Sequence, residues 1–304
     1  MLVGFKMRNV KLTLSLIFLQ IVTLIFYPQY VHSEENYTEI PLYFSSRIPL
    51  VNVEIENSKI PFMLDTGAAQ ESIVINESLS KKLKIYKTRE TKKSVDFFGN
   101  TQEGKEFIIS SIRLGDFVLH NIKGTIRQPW GLKKNQKAPP ALAFGNGIIG
   151  LKLLKKFKII IDYPHKNLVL IKNKIPPRYT LKNWNVLFFD PQCGDGIVTQ
   201  AYIQHSLITL LWDTGANFMP LHPRHDIRGR IHSCPSYVEK SLDDTICKML
   251  KVSNLKIGKK EYNNIDFILV SFQEPKVDGF IGEPFLAKHI IYIDFKKGLL
   301  AISE

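Results

Sequence analysis

Two stretches of the chain alternate apolar and polar positions in the same way. Offsetting the sequence by 148 positions lays residues 50–67 on residues 198–215 without a gap. Val53 and Ile55 then fall on Ala201 and Ile203, and the polar pair Asn57-Ser58 falls on His205-Ser206. Alternation of period two puts one face of a strand into a core, and a polar pair between two such runs predicts a hairpin turn. The returning strands, Ile60-Pro61-Phe62-Met63-Leu64 and Leu207-Ile208-Thr209-Leu210-Leu211-Trp212, end in the same triplet. It is Asp65-Thr66-Gly67 in the first and Asp213-Thr214-Gly215 in the second, each followed by Ala.

A second matched pair lies downstream. Gly147-Ile148-Ile149-Gly150 is followed twelve positions later by Asp162, and Gly279-Phe280-Ile281-Gly282 twelve positions later by Asp294. Both aspartates end apolar strand-like runs, and both lead through a polar turn into a closing apolar run, residues 168–171 and 299–302. Duplication at so long a period predicts two equivalent β-rich lobes, not a solenoid of short units. The expected division is a targeting segment at 1–33, lobe 1 at 34–173, a linker at 174–195 and lobe 2 at 196–304. Residues 34–45 read as a polar lead-in, and Pro176-Pro177, Pro191 and Gly194 mark the linker. Lobe 1 is the longer between its two motifs. Residues 127–140 read as a basic surface insertion, and residues 94–101 as a hairpin with Gly99-Asn100 at its tip.

Residue for residue, these motifs resemble the aspartic protease family. An apolar strand, Asp-Thr-Gly, and then an apolar-apolar-Gly element before a short helix and strand form that family's signature. The resemblance spans about residues 46–304. It implies an all-β fold of two homologous barrel-like lobes with a cleft between them, and an endopeptidase with Asp65 and Asp213 as its catalytic pair. It assigns Thr66, Gly67, Thr214 and Gly215 to the supporting turns, and makes Phe98, Gly99 and Asn100 candidates for a substrate-covering flap. Such chemistry needs no metal and no cofactor, because two adjacent carboxyl groups that share one proton supply both acid and base. Two lobes in one chain resemble the pepsin type, and Ala68 and Ala216 the retroviral type. Pepsin-like enzymes usually carry a hydroxyl at those two positions, so a weakly acidic to near-neutral optimum is expected. Retroviral enzymes tend to carry Arg after the apolar-apolar-Gly element. Leu151 and Glu283 stand there, so that interfacial ion pair is expected to be missing.

Composition adds a compartment and few further constraints. Lys6, Arg8 and Lys11 precede a mostly apolar run at 12–26, and Val31-His32-Ser33 suits cleavage. The expectation is export (periplasmic, secreted or anchored outside the cytoplasm), with membrane association through this segment if it is retained. The net charge of +13 comes from scattered lysines without interleaved aromatics. This predicts a solvated basic surface, not a nucleic-acid platform. A polypeptide substrate and a monomer are the expected partner and state. Of Cys193, Cys234 and Cys247, one is left over in any monomeric scheme; an exported protein allows a bridge between the last two within lobe 2, which spacing alone does not decide. His222, His225, His232 and Cys234 crowd one segment, but their spacing matches no standard zinc site. The competing reading is a non-catalytic peptide- or cell-envelope-binding protein that keeps the same fold.

Overall fold

The structure is a computed structural model that describes residues 36–95, 99–127, 147–192, 194, 196–224, 227–235, 247–273 and 276–303. It is nearly all β. Among the described residues the helices are single turns of four residues: Glu77–Ser80, Leu151–Leu154 and Glu283–Leu286. The last two begin directly after Gly150 and Gly282, so the short helix recurs with the repeat.

The matched segments build matched sheets. In the first half, strand Ile48–Ile55 turns back into Ser58–Asp65, and in the second half Val198–Ile203 turns back into Ser206–Trp212. The turns sit one residue earlier than the alternation predicts. Ile55 pairs with Ser58, so Glu56 and Asn57 form the turn, both at positive φ (51° and 65°). Ile203 pairs with Ser206 in the same way, with Gln204 at φ 56°. Two residues at positive φ give a turn whose twist suits a hairpin, and here burying Ile55 outweighs the cost of left-handed Glu56.

Each returning strand then receives the apolar-apolar-Gly strand in parallel. Leu64 pairs with Ile149 and Asp65 with Gly150, while Leu211 pairs with Phe280 and Trp212 with Ile281. A parallel pair buried on both faces needs near-continuous apolar residues. Phe62, Leu64, Ile149, Leu210, Trp212 and Ile281 accordingly lie in one core. The N-terminal sheet has eight strands, and a further pairing between Glu54 and Arg113 curls it on itself. The C-terminal sheet has nine.

A third sheet, of six strands, corrects two expectations. Its order is Tyr37–Pro41, Asn167–Ile171, Lys158–Asp162, Ile290–Asp294, Leu299–Ile302, Asn185–Phe188. The polar lead-in is therefore an edge strand, with Thr38 and Ile40 turned inward and Glu39 outward. Thr38 hides in the sequence as a polar residue, but its Oγ1 donates to Asp116 Oδ2 (2.6 Å) and accepts from the Asp116 N–H (2.9 Å). Nor is the linker bare. Asn185–Phe188 pairs with Leu299–Ile302, and the Asn185 side chain donates to the Ile257 carbonyl (2.6 Å). Ile159 pairs with Ile293 at the centre of this sheet, so main-chain hydrogen bonds cross between the two halves.

Candidate active site

The two triplets interlock. Thr66 donates its hydroxyl to the Trp212 carbonyl (2.8 Å), and Thr214 donates its own to the Leu64 carbonyl (2.7 Å). Each hydroxyl also accepts from the other threonine's backbone N–H, both at 3.0 Å. Both threonines are buried, so these four bonds satisfy groups that water cannot reach. The glycines bring the aspartates face to face. A Cβ on Gly67 would lie 2.5 Å from the Asp213 carboxyl carbon, and one on Gly215 would lie 2.8 Å from that of Asp65. No side chain fits at either position. Each triplet's glycine is thus the floor on which the other triplet's carboxylate rests.

The carboxyl groups of Asp65 and Asp213 hydrogen-bond one another. Asp65 Oδ1 accepts from the Ala68 N–H (2.9 Å), and Asp213 Oδ1 from the Gly215 N–H (2.7 Å). Burial pushes both carboxyls above the ordinary carboxylate range, because desolvation disfavours the charged form. The shift is the larger at Asp213, where the negative charge of Asp65 adds to burial. At Asp65 burial is opposed by the Ala68 N–H, the bond to Asp213, the Gly67 N–H and the charge of Arg127. Two like carboxyls this close do not both ionise cheaply, so the pair as a unit holds one proton over a wide pH range. Such a pair can take a proton from a water and give one to a carbonyl oxygen in the same event.

The comparisons with known proteins bear on the family and the fold. Residues 51–156, which contain the first triplet and Gly147–Gly150, match the family model described as "gag-polyprotein putative aspartyl protease". The aspartic proteinase from Irpex lacteus has a similar structure, with a TM-score of 0.57 over 88% of this chain and 97% of that one, at 12% identity. Together they support the aspartic protease family. A search of the curated proteins finds no match. The likeness runs over nearly the whole of both chains, so it shows the fold for both halves of this one. Family and fold support peptidase function.

The candidate flap is a long hairpin. Tyr86–Val95 pairs with Thr101–Leu114, and Val95 faces Thr101 across the tip. Phe98 lies outside the described residues. Gly99 is at φ 85° and packs against the Gln273 side chain, which belongs to the second half of the chain. The hairpin tip with Gly99 and Asn100 therefore reaches from one half to the other.

The crowded histidine segment resolves differently. Cys234 is bonded to Cys247, and His232 Nε2 lies 3.0 Å from Asp266 Oδ1. His225 and Cys193 fall outside the described residues, as does nearly all of the basic insertion.

Glu283, standing where retroviral enzymes tend to have Arg, is in an ion pair between the halves, 2.6 Å from Arg47. The sequence reading also missed Glu71. Six positions past Asp65, it is buried, and its carboxylate meets Ser94 Oγ, Thr125 Oγ1, Lys92 Nζ and the Arg127 guanidinium. A carboxylate two positions before apolar Ile73-Val74-Ile75 was the available signal, since a charge at the entry to a core strand needs partners when it is buried.

Proposed function

We propose that this chain is an aspartic endopeptidase that hydrolyses peptide bonds with a water activated between Asp65 and Asp213. The observation that carries it is the reciprocal packing of Gly67 on Asp213 and Gly215 on Asp65, locked by the Thr66 and Thr214 hydroxyls. This arrangement has no structural purpose that an asparagine pair would not serve as well, and it places two carboxyls where they share a proton.

Asp65 removes a proton from the water as its oxygen bonds to the scissile carbonyl carbon. Asp213 gives its proton to the carbonyl oxygen, leaving a neutral gem-diol. As the C–N bond breaks, the nitrogen takes the proton now on Asp65, and one gem-diol hydroxyl returns a proton to Asp213. The pair ends as it began, and no covalent intermediate forms. The Tyr86–Leu114 hairpin covers the substrate and excludes water. Both pKa values are raised by burial, which favours a weakly acidic to near-neutral optimum.

The protein works outside the cytoplasm in this reading. The Cys234–Cys247 disulfide supports an oxidising compartment, where such bonds persist.

The test is cleavage of a diverse peptide library by the full-length protein from about pH 3 to 8. Pepstatin, Asp65→Asn and Asp213→Asn are run beside it. Cleavage lost in both variants is the expected result. A folded wild-type protein that cleaves nothing at any pH would overturn the proposal in favour of a binding role.

A further inference from the structure

We propose that one end of the six-stranded sheet is a docking face for an anionic phospholipid surface, built from lysines gathered around the point where the chain enters the sheet. It does not depend on the chemistry of Asp65 and Asp213.

The strand registers bring this face together. Tyr37 opens its strand opposite Ile171, the last residue of the next, and Ile171 in turn faces Lys158, which opens the third. Ile159 faces Ile293, so Asp294 closes the fourth strand at the same level. Asp294 faces Leu299, and Leu299 faces Phe188, the last residue of the sixth strand. The segments that enter or leave the sheet at this end carry Lys155, Lys156 and Lys158, then Lys172 and Lys174, then Lys296 and Lys297. Scattered in the sequence, these seven lysines line one end of a sheet about 24 Å wide, its strands ~4.8 Å apart. Lys172 Nζ lies 4.5 Å over the Phe117 ring, and Phe117 stacks on Phe157, which stands between Lys156 and Lys158.

The described carboxylates at this end are engaged locally. Buried Asp294 accepts the N–H groups of Lys296 (3.1 Å) and Lys297 (3.2 Å), Asp190 that of Gln192 (2.9 Å), and Asp116 the Thr38 hydroxyl (2.6 Å). Among the described residues none of the seven lysines is in an ion pair with a carboxylate. Even with Glu34 and Glu35 of the lead-in counted, the lysines are in excess.

The internal repeat shows that the fold does not require these charges. An offset of 132 lays Gly150 on Gly282 and Asp162 on Asp294, and carries this end of the sheet onto the other. Lys155 then falls on Ala287, Lys158 on Ile290 and Lys172 on Glu304, while Lys296 and Lys297 fall on Pro164 and His165. Lys156 alone meets another lysine, Lys288. The same backbone is built twice, and one copy of this end carries the charge. A lysine row that the fold does not need answers to something outside it.

Two observations identify a lipid surface. Asn36 lies at this end, its carbonyl accepting the N–H groups of Lys172 (2.9 Å) and Asn173 (3.3 Å). Nine residues, 27–35, separate it from the apolar run at 12–26, and nine residues reach no further than about 30 Å. A bilayer that takes up the apolar run is therefore within reach of the lysines. At the far edge of the same end Phe188 is 72% exposed, an apolar ring beside cations, which suits the headgroup boundary. Lysines near such a surface are attracted in proportion to its anionic lipid, and salt screens them within about 8 Å.

The test is hydrogen exchange read by mass spectrometry on the full-length protein. It is run with vesicles of phosphatidylcholine alone and of phosphatidylcholine mixed with phosphatidylglycerol. Exchange at 155–158, 172–174 and 295–298 is expected to slow several-fold on the mixed vesicles, to recover in high salt and to stay fast on neutral ones. The repeat-related segments 163–166 and 287–290 are expected to stay unchanged. Lys156→Glu, Lys296→Glu and Lys297→Glu combined should abolish the slowing, whereas Lys166→Glu with Lys288→Glu should keep it. All five side chains are exposed, so the fold tolerates both sets. Slowing at both ends alike, none on the mixed vesicles, equal slowing on neutral ones, or a triple variant that behaves as wild type would each overturn the proposal. So would slowing by duplex DNA that the mixed vesicles do not reproduce at the same ionic strength, which would assign the face to nucleic acid.

Discussion

Asp213 carries a stability cost that can be measured without any substrate. Its folded pKa is raised by burial and by Asp65, so the folded protein holds a proton that the unfolded chain releases near the ordinary carboxylate value. Between those two values the folded state binds more protons, and stability falls as pH rises through the window. The stability is fully present below the unfolded pKa and lost above the folded one. Asp213→Asn has no such proton to lose. Its melting temperature relative to wild type is therefore expected to climb from pH 3.5 to pH 7, read by calorimetry; a difference that stays flat over that range would contradict it. At this scale the sequence was legible where short motifs carry the chemistry. Asp-Thr-Gly twice, with matched flanks, predicts the pair, because only glycine admits the opposite carboxylate. Glu71 and Arg127 were not legible, since they meet across 56 positions and neither belongs to a short motif. The Arg47–Glu283 pair was hidden in the same way, its partners lying far apart in the chain.

The strands show how local pattern and long-range pairing divide the information. Both hairpins leading to the aspartates follow from alternation alone, although their turns slip by one residue because burial of Ile55 and Ile203 sets the register. The six-stranded sheet was missed. Its first strand, Tyr37–Pro41, has too few apolar residues to stand out, and its partner strand begins at Asn167. Such a strand is stabilised by what it meets. Ile40 is buried in the main core, whereas Glu39 points to solvent, where it meets Arg178. Ile40→Ala is expected to cost about 2–4 kcal/mol, the range for a buried large-to-small change. Glu39→Ala is expected to cost under about 1 kcal/mol, because exposed ion pairs are screened and pay side-chain entropy. Urea denaturation followed by circular dichroism would separate them. Equal effects would mean that the Tyr37–Pro41 strand is not packed as described.

For the molecule as a whole, the question is whether one chain makes one site. The Thr66 and Thr214 hydroxyl bonds and the mutual packing of the glycines all join the two halves of a single chain. The six-stranded sheet adds main-chain hydrogen bonds through Ile159 and Ile293, and the connection between the halves contributes Asn185–Phe188 to the same sheet. Breaking these contacts to rebuild them between two chains would gain nothing and would cost the loss of a tethered partner. The hairpin adds direction, since Tyr86–Leu114 belongs to the first half and its tip meets Gln273 in the second. In this arrangement one chain contains one complete pair of aspartates. Mixing the Asp65→Asn and Asp213→Asn variants, unfolded and refolded together, is therefore expected to restore no cleavage. A chain that built its site by exchanging halves with a second copy would form some intact pairs from such a mixture, uniting the wild-type Asp213 of the first variant with the wild-type Asp65 of the second. Recovered activity that rises with protein concentration would identify that exchange and refute the single-chain site. Activity absent at every concentration, with the wild-type protein refolding to full activity beside it, is the result that the interlocked triplets demand.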